Sequence, residues 1–147
     1  MSAKRRSSKR SDTSNTSPPD NPPLFIDRDA WSKALGAALV DAKVDHVAHH
    51  QRFRPDSPDV EWIRAASAHG WIAITRDQNI RRKPNELAAL RQSRAVVFVF
   101  TSGNLSAGLT AAILLKALPR IYRKARDTKR PALYSIRVDG TVGMLGL

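Results

Sequence analysis

The sequence predicts an α/β fold in which helices cover both faces of a mostly parallel sheet. Short apolar runs of strand length alternate along the chain with longer segments whose apolar residues recur at helical spacing. Ala95–Phe100 is entirely apolar, as expected of a central strand of a parallel sheet. Strands that alternate with helices are typical of a three-layer α/β/α sandwich. At 147 residues, 41% of them hydrophobic, the chain fits one domain with one core.

The first half of the domain is predicted to contain three strands and two helices. Leu24–Asp27 is a short buried strand, and Val44–His49 is a weaker strand with alternating polarity. Apolar residues at helical spacing fill the segment between them, and Asp29 is the predicted N-cap of that helix. A second helix spans Asp59–Gly70 and leads into the strand Trp71–Thr75.

The second half continues the alternation. Asn85–Ser93 is a predicted helix before the apolar strand, and Leu105–Asp127 is a long helix that Pro119 should kink. Leu133–Val138 is the last predicted strand, and an antiparallel position at the sheet edge stays open for it. Ligands of such sheets bind at the carboxyl ends of the strands, so the functional site is expected there.

Met1–Pro23 is predicted to be a disordered basic tail, and residues 24–147 are predicted to form the folded domain. The tail has no large apolar residue after Met1 and therefore cannot contribute to a core. It carries five basic and two acidic residues, so nine of the twelve net positive charges lie in the folded part. The domain is thus basic in its own right, which predicts nucleic acid as the first candidate partner and an anionic membrane surface as the second.

Composition excludes several classes of function. The chain has no cysteine, so disulfide scaffolds, thiolate zinc sites and thiol catalysis are excluded. Its apolar stretches are too short to span a bilayer. The tail lacks the apolar segment of a secretory signal, and we therefore expect a cytoplasmic protein without a membrane partner.

Acidic residues are predicted to converge at the carboxyl edge of the sheet. Asp27 closes the first strand, and Asp77 follows the third by two residues. Asp59 opens the helix that leads into the third strand, and a helix before a parallel strand starts near the same edge. Asp29 and Glu61 lie close enough in sequence to join these three.

A cluster of carboxylates favours a bound cation, because the like charges otherwise repel one another. Hard oxygen ligands suit Mg²⁺ or Mn²⁺, which can activate water and stabilise a phosphoryl transition state. Arg76, Arg81 and Arg82 follow the acids directly and are expected to hold an RNA backbone. An acidic centre with a basic rim predicts a metal-dependent nuclease.

Each acid also has a purely structural interpretation. Asp59 and Asp29 are plausible helix caps, Asp77 can form an Asx turn, and Glu61 suits the first turn of a helix. Asp27 is the hardest to explain structurally, because an Asp at the end of an apolar strand gains little there.

Three segments together resemble the PIN-like nucleases, in particular the compact toxins of the VapC type. They are Phe25–Asp29, Pro58–Ile63 with its Asp-x-Glu-Trp-Ile run, and Gly70–Asp77 with its Thr-Arg-Asp end. The resemblance extends from about Leu24 to the C-terminus and leaves out the tail. It implies a three-layer α/β/α fold and RNA cleavage that depends on Mg²⁺ or Mn²⁺. It also implies a cognate antitoxin as partner.

The same resemblance assigns roles to individual residues. Asp27, Asp59 and Asp77 match the metal-binding and catalytic acids of the family, and Thr75 matches the hydroxyl of the Thr-x-Asp motif. Many PIN domains also carry a Glu on an early helix, but Ala30–Gln51 contains none.

Asp29 and Glu61 are the residues that could substitute for the missing Glu in binding the metal.

Several alternatives stay open. The main one is a non-catalytic RNA- or DNA-binding module of the same fold. A phosphoacceptor signalling domain would need paired acids after the first strand and a Lys at the end of the last, and the sequence lacks both. A histidine metal site from His46, His49 and His50 is a minor alternative. The sequence does not decide between a monomer and a homodimer.

Overall fold

The computed structural model describes residues 21–147, which form one six-stranded sheet between two layers of helices. The strands are β1 (Leu24–Ile26), β2 (His46–Ala48), β3 (Ile72–Thr75), β4 (Val96–Phe100), β5 (Ala132–Ile136) and β6 (Val142–Leu145). The helices are α1 (Lys33–Asp41), α2 (Asp59–His69), α3 (Pro84–Arg91) and α4 (Ala107–Asp127), with 3₁₀ turns at His49–Gln51 and Ile80–Arg82. Residues 1–20 of the predicted tail lie outside the described part of the chain.

The strand order is β2-β1-β3-β4-β5-β6, and every neighbouring pair is parallel except β5 with β6. The predicted α/β class with a mostly parallel sheet is therefore confirmed. The chain leaves β1 for β2 on one side and returns to β3 on the other, so the direction of winding reverses at β1. Ligands of such sheets bind where the winding reverses, here at the carboxyl ends of β1 and β3.

The two helical layers bury separate apolar clusters against the sheet. On one face Leu35 and Leu39 of α1 pack with Leu114 and Ile121 of α4. On the other face the cluster combines α2 and α3 with the opposite sides of the strands; its members include Trp62, Ile63, Leu90, Ala73 and Val97. Apolar residues on both faces explain why β3 and β4 are fully buried.

The predicted cap of α1 is wrong, and the difference matters for the site. Ser32 is the N-cap, because its side chain accepts a hydrogen bond from the Leu35 amide at 3.0 Å. Asp29 lies four residues before the helix and turns its carboxylate toward β3 instead. Pro58 is the N-cap of α2, so Asp59 is the first helical residue and does not cap it.

The helix and strand ends differ from the expected bounds by a few residues. β2 ends before His49, which begins a 3₁₀ turn. The end of α2 is as predicted, since Gly70 adopts a left-handed conformation with φ +72°. Pro119 lies inside α4, which continues as one helix of 21 residues. None of the helices in residues 21–147 is long and apolar enough to cross a membrane.

The last strand of the sheet was not predicted. Leu133–Val138 corresponds to β5, which is parallel to β4 and carries a further strand, β6, on its outer side. β6 follows a turn in which Gly140 has φ +85°. It is the antiparallel edge, and its residues are only partly buried or exposed. The apolar pattern of this segment is therefore too weak to indicate a strand.

Candidate active site

Thr75 is the centre of a hydrogen-bonded group at the carboxyl ends of β1 and β3. Its hydroxyl lies 2.9 Å from Oδ2 of Asp27 and 3.3 Å from Oδ1 of Asp29, so the two carboxylates share one donor. The same hydroxyl oxygen accepts a hydrogen bond from the Asp77 amide at 3.1 Å. Three of the predicted acidic residues therefore meet at one buried threonine.

Backbone geometry fixes the two acids that follow β1. The Arg28 amide donates to Oδ1 of Asp27 at 2.8 Å, and the Arg76 amide donates to Oδ1 of Asp29 at 3.0 Å. The Asp27 amide in turn continues the β1–β3 ladder by donating to the Ile74 carbonyl. The sheet register thus places Asp29 beside β3, although the two segments are far apart in sequence.

Asp27 is the most strongly perturbed acid of the site. Only 2% of its surface is exposed. Burial, followed by the charge of Asp29, raises the pKa of Asp27 to about 7, against the lowering effect of the Thr75 hydroxyl. Partial burial of its carboxylate also raises the pKa of Asp29, and the charges of Asp77 and Asp59 add to this. The two acids after β1 therefore lie in the negative field of neighbouring aspartates.

Arg28 pairs with Asp59, the third predicted ligand. Its Nη2 lies 3.1 Å from Oδ1 of Asp59. Its Nη1 donates to the Ser57 carbonyl at 3.0 Å and lies 3.1 Å from Nε2 of His49. The guanidinium group therefore links the loop after β1 to the loop before α2.

His49 is one of the three partners of the Arg28 guanidinium group. It is buried, and its ring packs on Phe25 and Phe53. Because a guanidinium group can only donate, Nε2 of His49 must be the acceptor, which requires the neutral ring. Burial, followed by the charge of Arg28, lowers the pKa of His49 and favours this neutral form.

Lys83 pairs with Asp77, the last of the predicted ligands. Its Nζ lies 2.7 Å from Oδ2 of Asp77, and this hydrogen bond raises the pKa of the Lys83 ammonium group. The other carboxylate oxygen of Asp77 accepts from the Asn79 amide at 3.0 Å. Asp77 therefore does form the Asx turn of the structural interpretation, and it also belongs to the acidic group.

The donor set suits a hard divalent cation, but its present arrangement does not enclose one. Four carboxylates and a hydroxyl offer the oxygen ligands that Mg²⁺ and Mn²⁺ prefer. In residues 21–147, however, no three acidic or histidine side chains are placed closely enough to hold a metal ion together. Two of the four carboxylates are paired with cations, that of Asp59 with Arg28 and that of Asp77 with Lys83.

The remaining candidates lie around this centre. Glu61 is exposed on the first turn of α2 and takes no part in the hydrogen bonds described above. The histidines of the alternative metal site diverge: His49 contacts Arg28, whereas His46 and His50 pack on Trp31.

Two of the three basic residues that follow β3 are held by hydrogen bonds to backbone carbonyls. Arg76 donates to the Gly103 carbonyl at 2.8 Å, and Arg81 donates to the Gly146 carbonyl at 3.1 Å. Arg82 is exposed. Arg76 thus lies at the carboxyl edge, whereas the Arg81 side chain extends toward Gly146, which follows the last residue of β6.

Sequence reasoning missed Arg28 and Lys83 as site residues. Arg28 stands between two predicted site acids, and that position is the signal that could have found it. Nothing in the spacing indicates Lys83, because its contact with Asp77 depends on the 3₁₀ turn at Ile80–Arg82.

Comparisons with known proteins identify the family of the domain. The family model described as "PIN like domain" matches residues 22–102, more than half of the chain. A protein of Mycobacterium tuberculosis (strain ATCC 25618 / H37Rv) named "Putative ribonuclease VapC45" is 25% identical over 126 residues. That alignment covers 83% of this chain and 91% of the relative. No solved structure gives a significant match.

Proposed function

The chain belongs to the PIN-like domain family, and from this premise we propose that it is a metal-dependent ribonuclease, the toxin of a toxin–antitoxin pair. The name of the Mycobacterium tuberculosis relative supports ribonuclease activity. The reaction would be hydrolysis of RNA phosphodiester bonds at the aspartate group around Thr75.

The observation that carries the proposal is the concentration of negative charge at one point of the sheet. Asp27 is almost fully buried, and its pKa is raised to about 7, which shows that the described residues leave its charge poorly compensated. Structural acids are normally paired or solvated. An acid held in an unfavourable environment at a strand end, beside further carboxylates, is typical of a functional site.

Mg²⁺ or Mn²⁺ would supply a water of lowered pKa and positive charge for the phosphoryl transition state. Asp27, Asp59 and Asp77 would hold it, with Asp29 in the place of the missing early-helix Glu. Thr75 orients the acids, because its hydroxyl donates to Asp27 and Asp29.

The basic residues next to the acids support RNA as the substrate. Arg81 and Arg82 line a pocket of about 310 Å³ together with Arg91, and Gln78 adds a polar side chain. Gln78, the first of the pocket residues along the chain, directly follows Asp77. Arg76 contacts the loop after β4 at the carboxyl edge. Arg81 and Arg82 would extend the basic surface from there toward Gly146 and Leu147, which line the same pocket.

A cognate antitoxin is the proposed protein partner, and the cytoplasm is the proposed location. Both proposals rest on the family and on the relative's name.

A second candidate function is the non-catalytic RNA- or DNA-binding module. The observation in its favour is that the described side chains do not enclose a metal ion in their present arrangement. Both functions predict RNA binding, and only the ribonuclease predicts cleavage.

The test is cleavage of single-stranded RNA by the purified full chain with Mg²⁺, with Mn²⁺ and with EDTA. We expect cleavage that requires the metal. Asp27→Asn should reduce the rate by at least about 100-fold, because Asn keeps the size of Asp but removes the charge that holds a hard cation. Asp41→Asn is the matched control, since Asp41 is exposed at the end of α1.

The outcomes separate the two functions. Cleavage by wild type and Asp41→Asn but not by Asp27→Asn supports the ribonuclease. Equal cleavage by all three proteins would indicate a contaminating nuclease. RNA binding without cleavage, over a panel of RNAs and both metals, would favour the binding module.

A further inference from the structure

The acidic group contains two internal cations that differ in how firmly they are held. Arg28 contacts Asp59, the Ser57 carbonyl and His49 at 3.0–3.1 Å. These partners come from two segments, the 3₁₀ turn after β2 and the start of α2, and His49 is itself buried against aromatic rings. Withdrawal of Arg28 would leave the Ser57 carbonyl and His49 without this donor. Arg28 is therefore held by three partners, although its side chain is 41% exposed.

Lys83 is held much more loosely. Among the residues that the structure describes, its ammonium group has one hydrogen-bond partner, the Asp77 carboxylate at 2.7 Å. The Lys83 side chain is 46% exposed, whereas that of Asp77 is 13% exposed. A lysine side chain is a flexible four-carbon stem that carries a well-hydrated charge. If its ammonium group moves into solvent, Oδ2 of Asp77 loses its hydrogen-bond partner among the described residues and becomes available to a cation.

The position of Lys83 bears directly on the open arrangement of the acids. Asp77 is linked to the centre through its amide, which donates to Thr75, while its carboxylate faces Lys83 and the Asn79 amide. A rotation of this carboxylate toward Asp27 and Asp29 requires the ion pair to open. The same rotation would bring a third carboxylate to the pair that shares the Thr75 hydroxyl.

We propose that Lys83 is an exchangeable counter-ion of the site: it holds Asp77 in the metal-free protein and is displaced when a divalent cation binds. The inference rests on the proposed metal-dependent function. It makes Lys83 a positioning residue that acts through Asp77. Metal affinity is then set by competition between the cation and the ammonium group for one carboxylate.

The test measures Mn²⁺ binding to the metal-free full chain by calorimetry, without RNA and at fixed ionic strength. We expect Lys83→Met to bind Mn²⁺ about three- to tenfold more tightly, because the competing charge is removed. Lys83→Arg restores a positive charge and should return the affinity toward that of the wild type. Lys124→Met is the matched control, since Lys124 lies in the last turn of α4, at the far edge of the sheet. Its affinity should change less than about twofold, because charges at that distance are screened.

Each outcome decides between defined alternatives. Tighter binding in Lys83→Met alone supports the exchangeable counter-ion. Unchanged or weaker binding in Lys83→Met, with Mn²⁺ bound by the wild type, overturns the inference and leaves the ribonuclease proposal intact. An equal gain in Lys124→Met also overturns it, because the effect would then be one of net charge. Absence of Mn²⁺ binding in every protein would contradict the metal-dependent function itself. Thermal unfolding of each variant confirms that it is folded.

Discussion

Asp27 shows how a single residue can be satisfied in hydrogen bonding and still be electrostatically unfavourable. Its carboxylate accepts from the Thr75 hydroxyl and the Arg28 amide. Both bonds favour the charged form, yet burial and the charge of Asp29 outweigh them and raise its pKa to about 7. Without a bound cation, the buried charge of Asp27 therefore lowers the free energy of unfolding, and a bound cation would raise it again.

This cost predicts a pH-dependent effect of Asp27→Asn on stability. Between pH 3.8 and about 7 the folded protein keeps a proton on Asp27 that the unfolded chain has released, so wild-type stability from this group falls as pH rises. At pH 8 in EDTA we expect Asp27→Asn to be more stable than wild type by about 1–3 kcal/mol. This gain should shrink as the pH is lowered toward 4.

Chemical denaturation at several pH values, again in EDTA, measures the difference. Asp41→Asn should show no comparable trend, because Asp41 is exposed. A stability loss in Asp27→Asn at pH 8 would mean that the lost hydrogen bonds outweigh the relieved charge.

At the scale of elements, α1 depends on a glycine that accommodates an aromatic ring. The Trp31 ring lies over Gly36, where a Cβ atom would overlap it. Trp31 also packs on His46 and His50, so it joins α1 to the edge of the sheet. Its amide donates to the Asp27 carbonyl, which connects this packing to the turn that carries the site.

The same Gly→Ala change should therefore destabilise the protein at Gly36 but not at Gly108. Gly36→Ala should destabilise the protein by about 1–3 kcal/mol, because the Trp31 ring must move. Gly108→Ala should be neutral or stabilise by up to about 1 kcal/mol, since no atom lies within 4 Å of a Cβ atom there and alanine favours the helix. Thermal unfolding of the two variants checks this. A stabilising Gly36→Ala would show that Trp31 repacks without cost.

At the scale of the whole molecule, the dominant property is the net charge of +12. The described residues carry nine of these positive charges together with a local acidic centre, so a polyanion is attracted to the molecule overall but not to the acids themselves. The proposed basic tail, most of which lies outside the described residues, carries part of the charge. The positions of individual basic residues, rather than the net charge, must therefore orient a bound RNA.

RNA binding is expected to depend on where basic residues are removed. The triple variant Arg76→Ala, Arg81→Ala and Arg82→Ala should weaken binding regardless of RNA sequence and lower its salt slope by about 1–2. Three basic residues at the far end of α4 provide a control with the same change in net charge; they are Arg123, Lys124 and Arg126. Fluorescence anisotropy at several salt concentrations measures both triple variants. Equal losses would show that net charge alone determines binding.

The sequence by itself determined the α/β class and the mostly parallel sheet, and it predicted that Asp27, Asp59 and Asp77 converge at the carboxyl edge with Asp29 or Glu61 nearby. Each depends on local signals: an apolar run of strand length, helical spacing, and an acid directly after a strand. Parallel strands that alternate with helices must present their carboxyl ends at the same edge, so the meeting of these acids followed without knowledge of any contact.

Only the tertiary structure decided which groups neutralise the acids. Arg28 reaches Asp59 and His49 across loops that are distant in sequence, and Lys83 reaches Asp77 through a 3₁₀ turn that the periodicity does not indicate. The sequence likewise did not indicate β6, because an exposed edge strand buries too little apolar surface to produce a recognisable apolar pattern. Periodic patterns record which residues face the core, whereas pairing between charged side chains depends on distances that only the folded chain sets.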